Sequence, residues 1–401
     1  MLTGLTTDNA STTDNASTKE TNPAKAISGM EPVLAVPGLL TTFLEDSTHP
    51  MAAFWKEKPE LMSYDKAEQP VVYRDQTVGS GYKLLYRVGD WCWLTRHPVT
   101  REYLTIKFLH RTPRGSLEFE ALRFVQERVS SPHVVKMVDS FTLPHHLAEE
   151  RPGDYPQLDN IMFQAVVYKA TGSDPLTTDV FEDMHTGVHE RMRIIRDVVL
   201  GVAALHAQGM VHGDIRVENI GLALPSHTEC SPIVPEELIE YDFVKKHSCP
   251  YSPAFPSRSM MPVDIGFGTG PAKILNLSYA FCADISRVYE PNDFGGPENS
   301  KPPELRTGKP TSLPFKVDSW QLGLAIYCVA TDGYNPLWET SGVPDAMERW
   351  TEVVLERWKL TDDDDEANVI RIILSLLELE PGKRMDVVDL AKDEWLMRIP
   401  A

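Results

Sequence analysis

The sequence predicts an α+β chain with strands in its first half and helices in its second. Three observations carry that expectation. Between residues 70 and 168, aromatic and β-branched runs are separated by Gly, Asp and Pro, the pattern of short strands and turns. From about residue 189, apolar residues recur at helical spacing instead. At 401 residues with 42% hydrophobic content, the chain is long enough to bury a large core as one domain or as two lobes with a tail.

Charge and cysteine usage narrow the class further. A net charge of −19 argues against a nucleic-acid partner, whose backbone must be neutralised by Lys and Arg, and suits a basic protein partner instead. The five cysteines (Cys92, Cys230, Cys249, Cys282 and Cys328) are scattered and odd in number, so neither a disulfide framework nor a zinc site is expected. No apolar run reaches the roughly 18 residues of a membrane span. The first residues lack a basic segment followed by an apolar core, so no secretory signal is expected. The expectation is a monomer of the cytoplasm, the nucleus or both.

Residues 1–45 are rich in Thr, Ser, Asn and Asp, and Thr6-Thr7-Asp8-Asn9-Ala10-Ser11 recurs as Thr12-Thr13-Asp14-Asn15-Ala16-Ser17. Such a segment buries too little apolar area to offset its ordering entropy, so it reads as a disordered tail. Residues 46–69 form an N-terminal extension. Strand-like runs then follow at Val71–Tyr73, Tyr82–Tyr86, Trp91–Leu94 and Tyr103–Lys107, and Asn160–Tyr168 reads as the last strand of this half. Between them, Leu117–Val125 has helical apolar spacing and carries Glu118 and Glu120. A second helix is expected from about His189 to Ala207, with Ile194, Val198, Val202 and Leu205 on one stripe and Gly209 just past its end. Residues 225–270, rich in Pro and Ser, read as an insertion. The acidic run Asp362–Glu366 reads as a solvated loop.

The stretch that gives these elements chemical meaning is Val211-His212-Gly213-Asp214-Ile215-Arg216-Val217-Glu218-Asn219-Ile220. It resembles the catalytic loop of the protein-kinase family, in which His, Asp and Asn recur as H-x-D-x-x-x-x-N. The resemblance continues in order along most of the chain, from about residue 70 to 396. Tyr103–Lys107 is similar to the V-A-I-K strand, Pro302-Pro303-Glu304 to A-P-E, Val317–Tyr327 to the helix opening D-x-W-x-x-G, and Leu379–Arg384 to L-D-P-x-x-R.

The resemblance implies a two-lobed kinase fold: a small antiparallel β lobe with one bracing helix over residues 70–168, and a large, mostly helical lobe over 169–398. It also implies ATP and Mg2+ as cofactors. In that reading Lys107 holds phosphate and Glu118 braces it, Glu120 being the competing brace. Asp214 is the base, Arg216 steadies the γ-phosphate in place of a lysine, and Asn219 is a metal ligand. Lys169 and Ala170 belong to the linker whose backbone receives adenine. His212, Glu304, Asp318 and Arg384 are structural, with Asp318 accepting from the catalytic-loop backbone and Arg384 pairing with Glu304.

Two parts of this machinery depart from the pattern. The Gly-rich loop, whose glycines let backbone N–H groups approach phosphate, has no G-x-G-x-x-G in any register. An ungapped count from Lys107 puts Leu85 and Arg87 where glycines belong; a gapped one keeps Gly89 as the first glycine. Gly79-Ser80-Gly81 lies too far upstream. The second departure is at Lys273-Ile274-Leu275-Asn276-Leu277-Ser278-Tyr279-Ala280-Phe281, which resembles K-L-I-D-F-G-x-A-F with Asn276 in place of the magnesium-binding Asp. Asp264-Ile265-Gly266 lacks the surrounding pattern.

Trp93–His97 and Arg101–Lys107 are similar to the SR-protein kinases, particularly fungal SR-kinase-like sequences, as is Gly213, which stands where H-R-D has its Arg. That likeness implies transfer of the ATP γ-phosphate to Ser or Thr of a basic, Arg/Ser-rich protein, without control through a phosphorylated loop that neutralises an Arg. Loss of the loop glycines and of the Asp at 276 points to the alternative, a pseudokinase that binds or scaffolds. A lesser alternative is a small-molecule phosphotransferase of kinase-like fold.

Overall fold

Along β2 (Tyr82–Gly89), Tyr82, Leu84, Tyr86 and Val88 are buried in alternation, the period-two pattern of a strand with one face on a core. The computed structural model describes residues 75–89, 91–100, 102–144, 161–171, 188–224, 270–331 and 364–400, together with Pro70 and Val72. The tail, the 46–69 extension, nearly all of the 225–270 insertion and Asp264-Ile265-Gly266 lie outside the described residues.

Six strands form an antiparallel sheet: β1 (Thr77–Val78), β2, β3 (Cys92–Arg96), β4 (Tyr103–Phe108), β5 (Met137–Pro144) and β6 (Met162–Lys169), in the order β1-β2-β3-β4-β6-β5. The short β1 is an addition to the sequence reading. Gly79 (φ +54°) and Gly81 (φ +103°) make the turn between β1 and β2, so this glycine pair serves a tight backbone reversal. Residues 131–136 form a loop touching the helical half through a bridge between Val134 and Ile274, and the next strand starts at Met137.

Between β4 and β5 runs α1 (Pro113–Arg128), opened by Pro113 at its first turn, where a missing N–H costs nothing. Ala121, Leu122 and Val125 of α1 join one core with α2 (Val188–His206) and with the later helix Pro314–Ala330, so sheet and helices share buried apolar surface. The stripe on α2 includes Ile194, Ile195, Val198, Val199, Val202 and Leu205, all buried. After α2 come β7 (Met210–Val211), β8 (Ile220–Leu222), β9 (Ala272–Ile274) and β10 (Phe281–Cys282), in two small antiparallel pairs: β7 with β10 and β8 with β9.

The short α3 (Pro303–Arg306) precedes α4 (Pro314–Ala330), which is buried on nearly every side and explains why its sequence lacks a polar face. The remaining helices are α5 (Asp364–Leu376), α6 (Val387–Leu390) and α7 (Glu394–Arg398). No described helix is long and apolar enough to cross a membrane.

One buried ion pair ties α3 to the end of the chain. The Arg384 side chain has no exposed surface, and its Nη1 and Nη2 each lie 2.7 Å from a separate oxygen of Glu304. Its remaining N–H groups donate to the carbonyls of Glu378 (2.7 Å), Lys316 (3.1 Å) and Leu379 (3.3 Å). All five guanidinium donors are thus used, the geometry that lysine cannot copy. Arg384→Met is expected to strand the Glu304 carboxylate and lower unfolding free energy by about 3–5 kcal/mol, read as a fall in the urea midpoint. Arg384→Lys should recover less than half of the loss.

Candidate active site

The catalytic-loop stretch is held by the fully buried carboxylate of Asp318 on α4. Its Oδ2 accepts from the His212 N–H (2.7 Å) and its Oδ1 from the Gly213 N–H (2.8 Å). The His206 ring at the end of α2 adds a third bond to Oδ2 at 2.9 Å. Gln321, one turn along α4, accepts from the Ile215 N–H at 2.9 Å.

His212 is locked from both sides. Its Nδ1 accepts from the Asp214 N–H (3.2 Å), which leaves Nε2 to donate to the Leu275 carbonyl at 2.9 Å. Gly213 sits at φ +77°, and a Cβ there would come within 2.7 Å of the Tyr279 carbonyl oxygen. A side chain at 213 is therefore excluded both by backbone conformation and by space.

Lys107, near the end of β4, reaches Glu118 on α1 at 2.6 Å, and Glu118 is only 4% exposed. Glu120, the competing brace, faces solvent and pairs with Arg123. The Lys107 ammonium also donates to Asn276 Oδ1 at 3.0 Å. Asn276 Nδ2 donates to Asn219 Oδ1 (3.0 Å), and Asn219 Nδ2 donates to the Asp214 carbonyl (2.8 Å) and to Asp214 Oδ2 (3.0 Å). Five of the expected residues thus form one connected series, Glu118–Lys107–Asn276–Asn219–Asp214. Asn276 adopts φ +59°, a left-handed conformation that Asn tolerates better than most residues.

Asp214 is 3% exposed. Arg216 Nε stands 3.2 Å from its Oδ1, too misaligned for a hydrogen bond, so Oδ1 has no hydrogen-bond donor among the described residues. Gly295 and Gly296 lie against the same carboxylate. A Cβ on Gly295 would sit 2.8 Å from Asp214 Cγ, and one on Gly296 would stand 3.1 Å from Oδ1 and collide with Ser300 Oγ. The Gly295 N–H donates to the Gly213 carbonyl at 2.8 Å, fixing this cover. Sequence reasoning did not single out this pair, although two glycines eight and nine residues before Glu304 were a readable signal.

Arg114, in the first turn of α1, was also missed. Its guanidinium lies 3.6 Å from the centre of the Tyr279 ring and donates to the Asn292 carbonyl at 2.9 Å. Those contacts pin the bracing helix to the segment after Asn276, and with it the Lys107–Glu118 pair.

The phosphate side is built differently from a Gly-rich loop. Cys92 pairs with Lys107 across β3 and β4, and Gly89 pairs with Cys92 across β2 and β3. The end of the β2–β3 hairpin is therefore paired against β4 at Lys107 and Phe108. Trp91 occupies the turn at φ +66°, rare for a bulky residue. Its ring packs 4.0 Å from that of His110, and its carbonyl accepts from the Phe108 N–H at 2.9 Å. A Cβ on Gly89 would meet only an ordinary contact with Cys92, so nothing steric demands glycine there.

On the base side, the Ala170 N–H donates to the Tyr103 carbonyl (3.4 Å) and the Ala170 carbonyl accepts from the Leu224 N–H (3.3 Å). Tyr86, Val88, Leu94 and Ala170 form a small buried cluster with Leu224 packed against it. Lys169 points outward and pairs with Glu102 at 3.5 Å. Burial, reinforced by Cys92 and then Glu118, raises the Tyr168 phenol well above its usual range, so it stays protonated beside Lys107's brace.

A lysine braced by a buried glutamate, facing an Asp–Asn pair on a loop suspended from a buried Asp, is an arrangement compatible with phosphoryl transfer. No family model matches the chain. Among curated proteins it is similar to the DNA damage response protein kinase DUN1 of Saccharomyces cerevisiae, 22% identical over 315 residues, covering 75% of this chain and 51% of that protein. It is also similar to the calcium/calmodulin-dependent protein kinase kinase cmkC of Emericella nidulans, 26% identical over 211 residues, covering 52% of this chain and 31% of that one. The maternal embryonic leucine zipper kinase of Xenopus tropicalis matches at 22% identity over 348 residues, 84% of this chain and 41% of that one. The chain spans about half or less of the length of these relatives.

These similarities support a place in the protein-kinase superfamily, with its two-lobed fold. The relatives are serine/threonine protein kinases, a class that uses ATP, a divalent metal and protein substrates. The similarities do not reach the SR-kinase subgroup.

Asp318→Asn is expected to turn an amide NH2 toward one of the donors that the carboxylate now accepts. The loss should be about 2–3 kcal/mol of stability, measured by chemical denaturation. Amide exchange at His212 and Gly213 should accelerate beyond what global destabilisation accounts for.

Proposed function

We propose that this chain is a serine/threonine protein kinase of low turnover, transferring the γ-phosphate of ATP to a hydroxyl in a basic, Arg/Ser-rich protein. The observation that carries this reading is the uninterrupted polar series from Glu118 to Asp214. The phosphate-binding lysine, its brace and the base are connected before any ligand arrives, and such preorganisation is the main thing a protein contributes to phosphoryl transfer.

In this reading Lys107 neutralises the α- and β-phosphates, and Glu118 keeps its ammonium from collapsing elsewhere. The substrate oxygen attacks the γ-phosphorus while the bond to the β–γ bridging oxygen breaks, releasing ADP. The hydroxyl proton passes to Asp214. Oδ1 is the oxygen suited to receive it, because Oδ2 is already bonded to Asn219. Arg216 beside Oδ1 faces the charge that develops on the transferred group. The acidic surface of a chain carrying net charge −19 favours a basic substrate and raises its encounter rate. The texture of Trp93–His97 and Arg101–Lys107 supports the SR-kinase-like assignment.

A second reading, a pseudokinase that binds or scaffolds without useful turnover, is favoured by one group of observations. The hairpin end is bonded to β4 at Lys107 and Phe108, and the Ala170 peptide groups are engaged with Tyr103 and Leu224. ATP must displace those two long bonds to reach the linker.

Purified protein is expected to bind ATP and to phosphorylate an Arg/Ser-rich peptide slowly. Asp214→Ala should cut transfer by roughly 100-fold or more while sparing ATP affinity, and Lys107→Met should weaken ATP binding itself. ATP binding with no transfer above the Asp214→Ala background would select the pseudokinase. Absence of ATP binding would sink both nucleotide-dependent readings.

A further inference from the structure

The polar series in the cleft has a direction that its two ends impose. A lysine ammonium only donates, so Asn276 must turn its oxygen to Lys107 and its nitrogen to Asn219. Asn219 then presents its oxygen to Asn276 and its nitrogen to Asp214, where two acceptors hold it. Neither amide is free to rotate without losing bonds at both of its ends.

That arrangement does not fit a resident Mg2+. The ion requires close octahedral oxygen ligands and favours carboxylates among its few protein contacts. The two oxygens that the kinase resemblance assigns to it, Asn219 Oδ1 and Asn276 Oδ1, belong to neutral amides and each already accepts a hydrogen bond. Among the described residues no group of three or more His, Cys, Asp or Glu could hold a metal.

With Asp at position 276 the cleft would behave differently. A carboxylate oxygen would face Asn219 Oδ1 at the present 3.0 Å with no proton between them. Asn219 could not flip to relieve this, because its NH2 is held by Asp214. A cation would have to fill the gap.

We propose that the Asn276–Asn219 bridge takes the place of a divalent cation, so that this cleft is complete, and receives nucleotide, in the absence of metal. The nucleotide part rests on the reading given above. The bridge itself is a property of the chain alone and is tested separately.

The test uses the full chain in two buffers, one with EDTA and one with Mg2+, and reads thermal unfolding without nucleotide and ATP affinity by calorimetry. Wild-type protein should unfold at the same temperature in both buffers, and its ATP affinity should differ by less than about 3-fold, under one tenfold step of 1.4 kcal/mol. Asn276→Asp should unfold earlier in EDTA, recover with Mg2+ alone, and bind ATP at least ~10-fold tighter with Mg2+ than without. Asn276→Ala, which has neither amide nor carboxylate, should be insensitive to Mg2+ in unfolding.

Stabilisation of the wild type by Mg2+ alone, or Mg2+-dependent tightening of its ATP binding by ~10-fold or more, overturns the proposal. If wild-type protein binds no ATP in either buffer, the nucleotide-binding reading fails. The unfolding comparison with Mg2+ alone still decides the bridge, and it does so on the wild type even if Asn276→Asp does not fold.

Discussion

The cleft depends on a carboxylate that never meets solvent. Asp318 is fully buried on a helix that is itself enclosed, and it accepts the N–H groups of His212 and Gly213 and a ring nitrogen of His206. An ionised group in such a place would be costly if it were not surrounded by donors. Here the donors belong to the loop that carries Asp214, Arg216 and Asn219. Its burial is thus inseparable from its role as an anchor. Removing the loop from its place would leave a stranded charge, which is why the loop is held in one conformation.

Glycine supplies the complementary constraint. Gly213, Gly295 and Tyr279 approach so closely that no Cβ fits at either glycine. The segment after Asn276 is thereby brought against the base, and Arg114 fastens the bracing helix to the same segment through Tyr279 and Asn292. Three parts of the chain, far apart in sequence, are locked around Asp214 without any charged modification. The absence of an Arg at 213 is, in the structure, a matter of space and backbone conformation.

Much of this was legible in the sequence because short-range spacing encodes it. The strand alternation at Tyr82–Val88, the stripe on Val188–His206 and the His–Asp–Asn spacing each report a local geometry. What resisted reading was set by tertiary approach. Whether Glu118 or Glu120 meets Lys107 depends on the helix's rotation about its axis: two residues apart, they point to nearly opposite sides of it, and spacing alone does not say which side meets β4. The hairpin register around Gly89 was ambiguous because two gap choices gave equal patterns, and only strand pairing distinguishes them. Gly295, Gly296 and Arg114 carried no motif, since their importance lies in what they touch. Asn276 was recognised as a departure, yet its bonds to both Lys107 and Asn219 follow from distances that no spacing encodes.

The turn at Trp91 bears on ligand traffic. A glycine-rich flap moves at its tip, on the nanosecond-to-microsecond scale of loops. In this chain Trp91, at the corresponding turn, packs on His110, and its carbonyl accepts from the Phe108 N–H. Lifting this turn as a flap lifts would break the Trp91 contacts with His110 and Phe108. The cover of this part of the cleft is thus tied to the stiffness of the sheet.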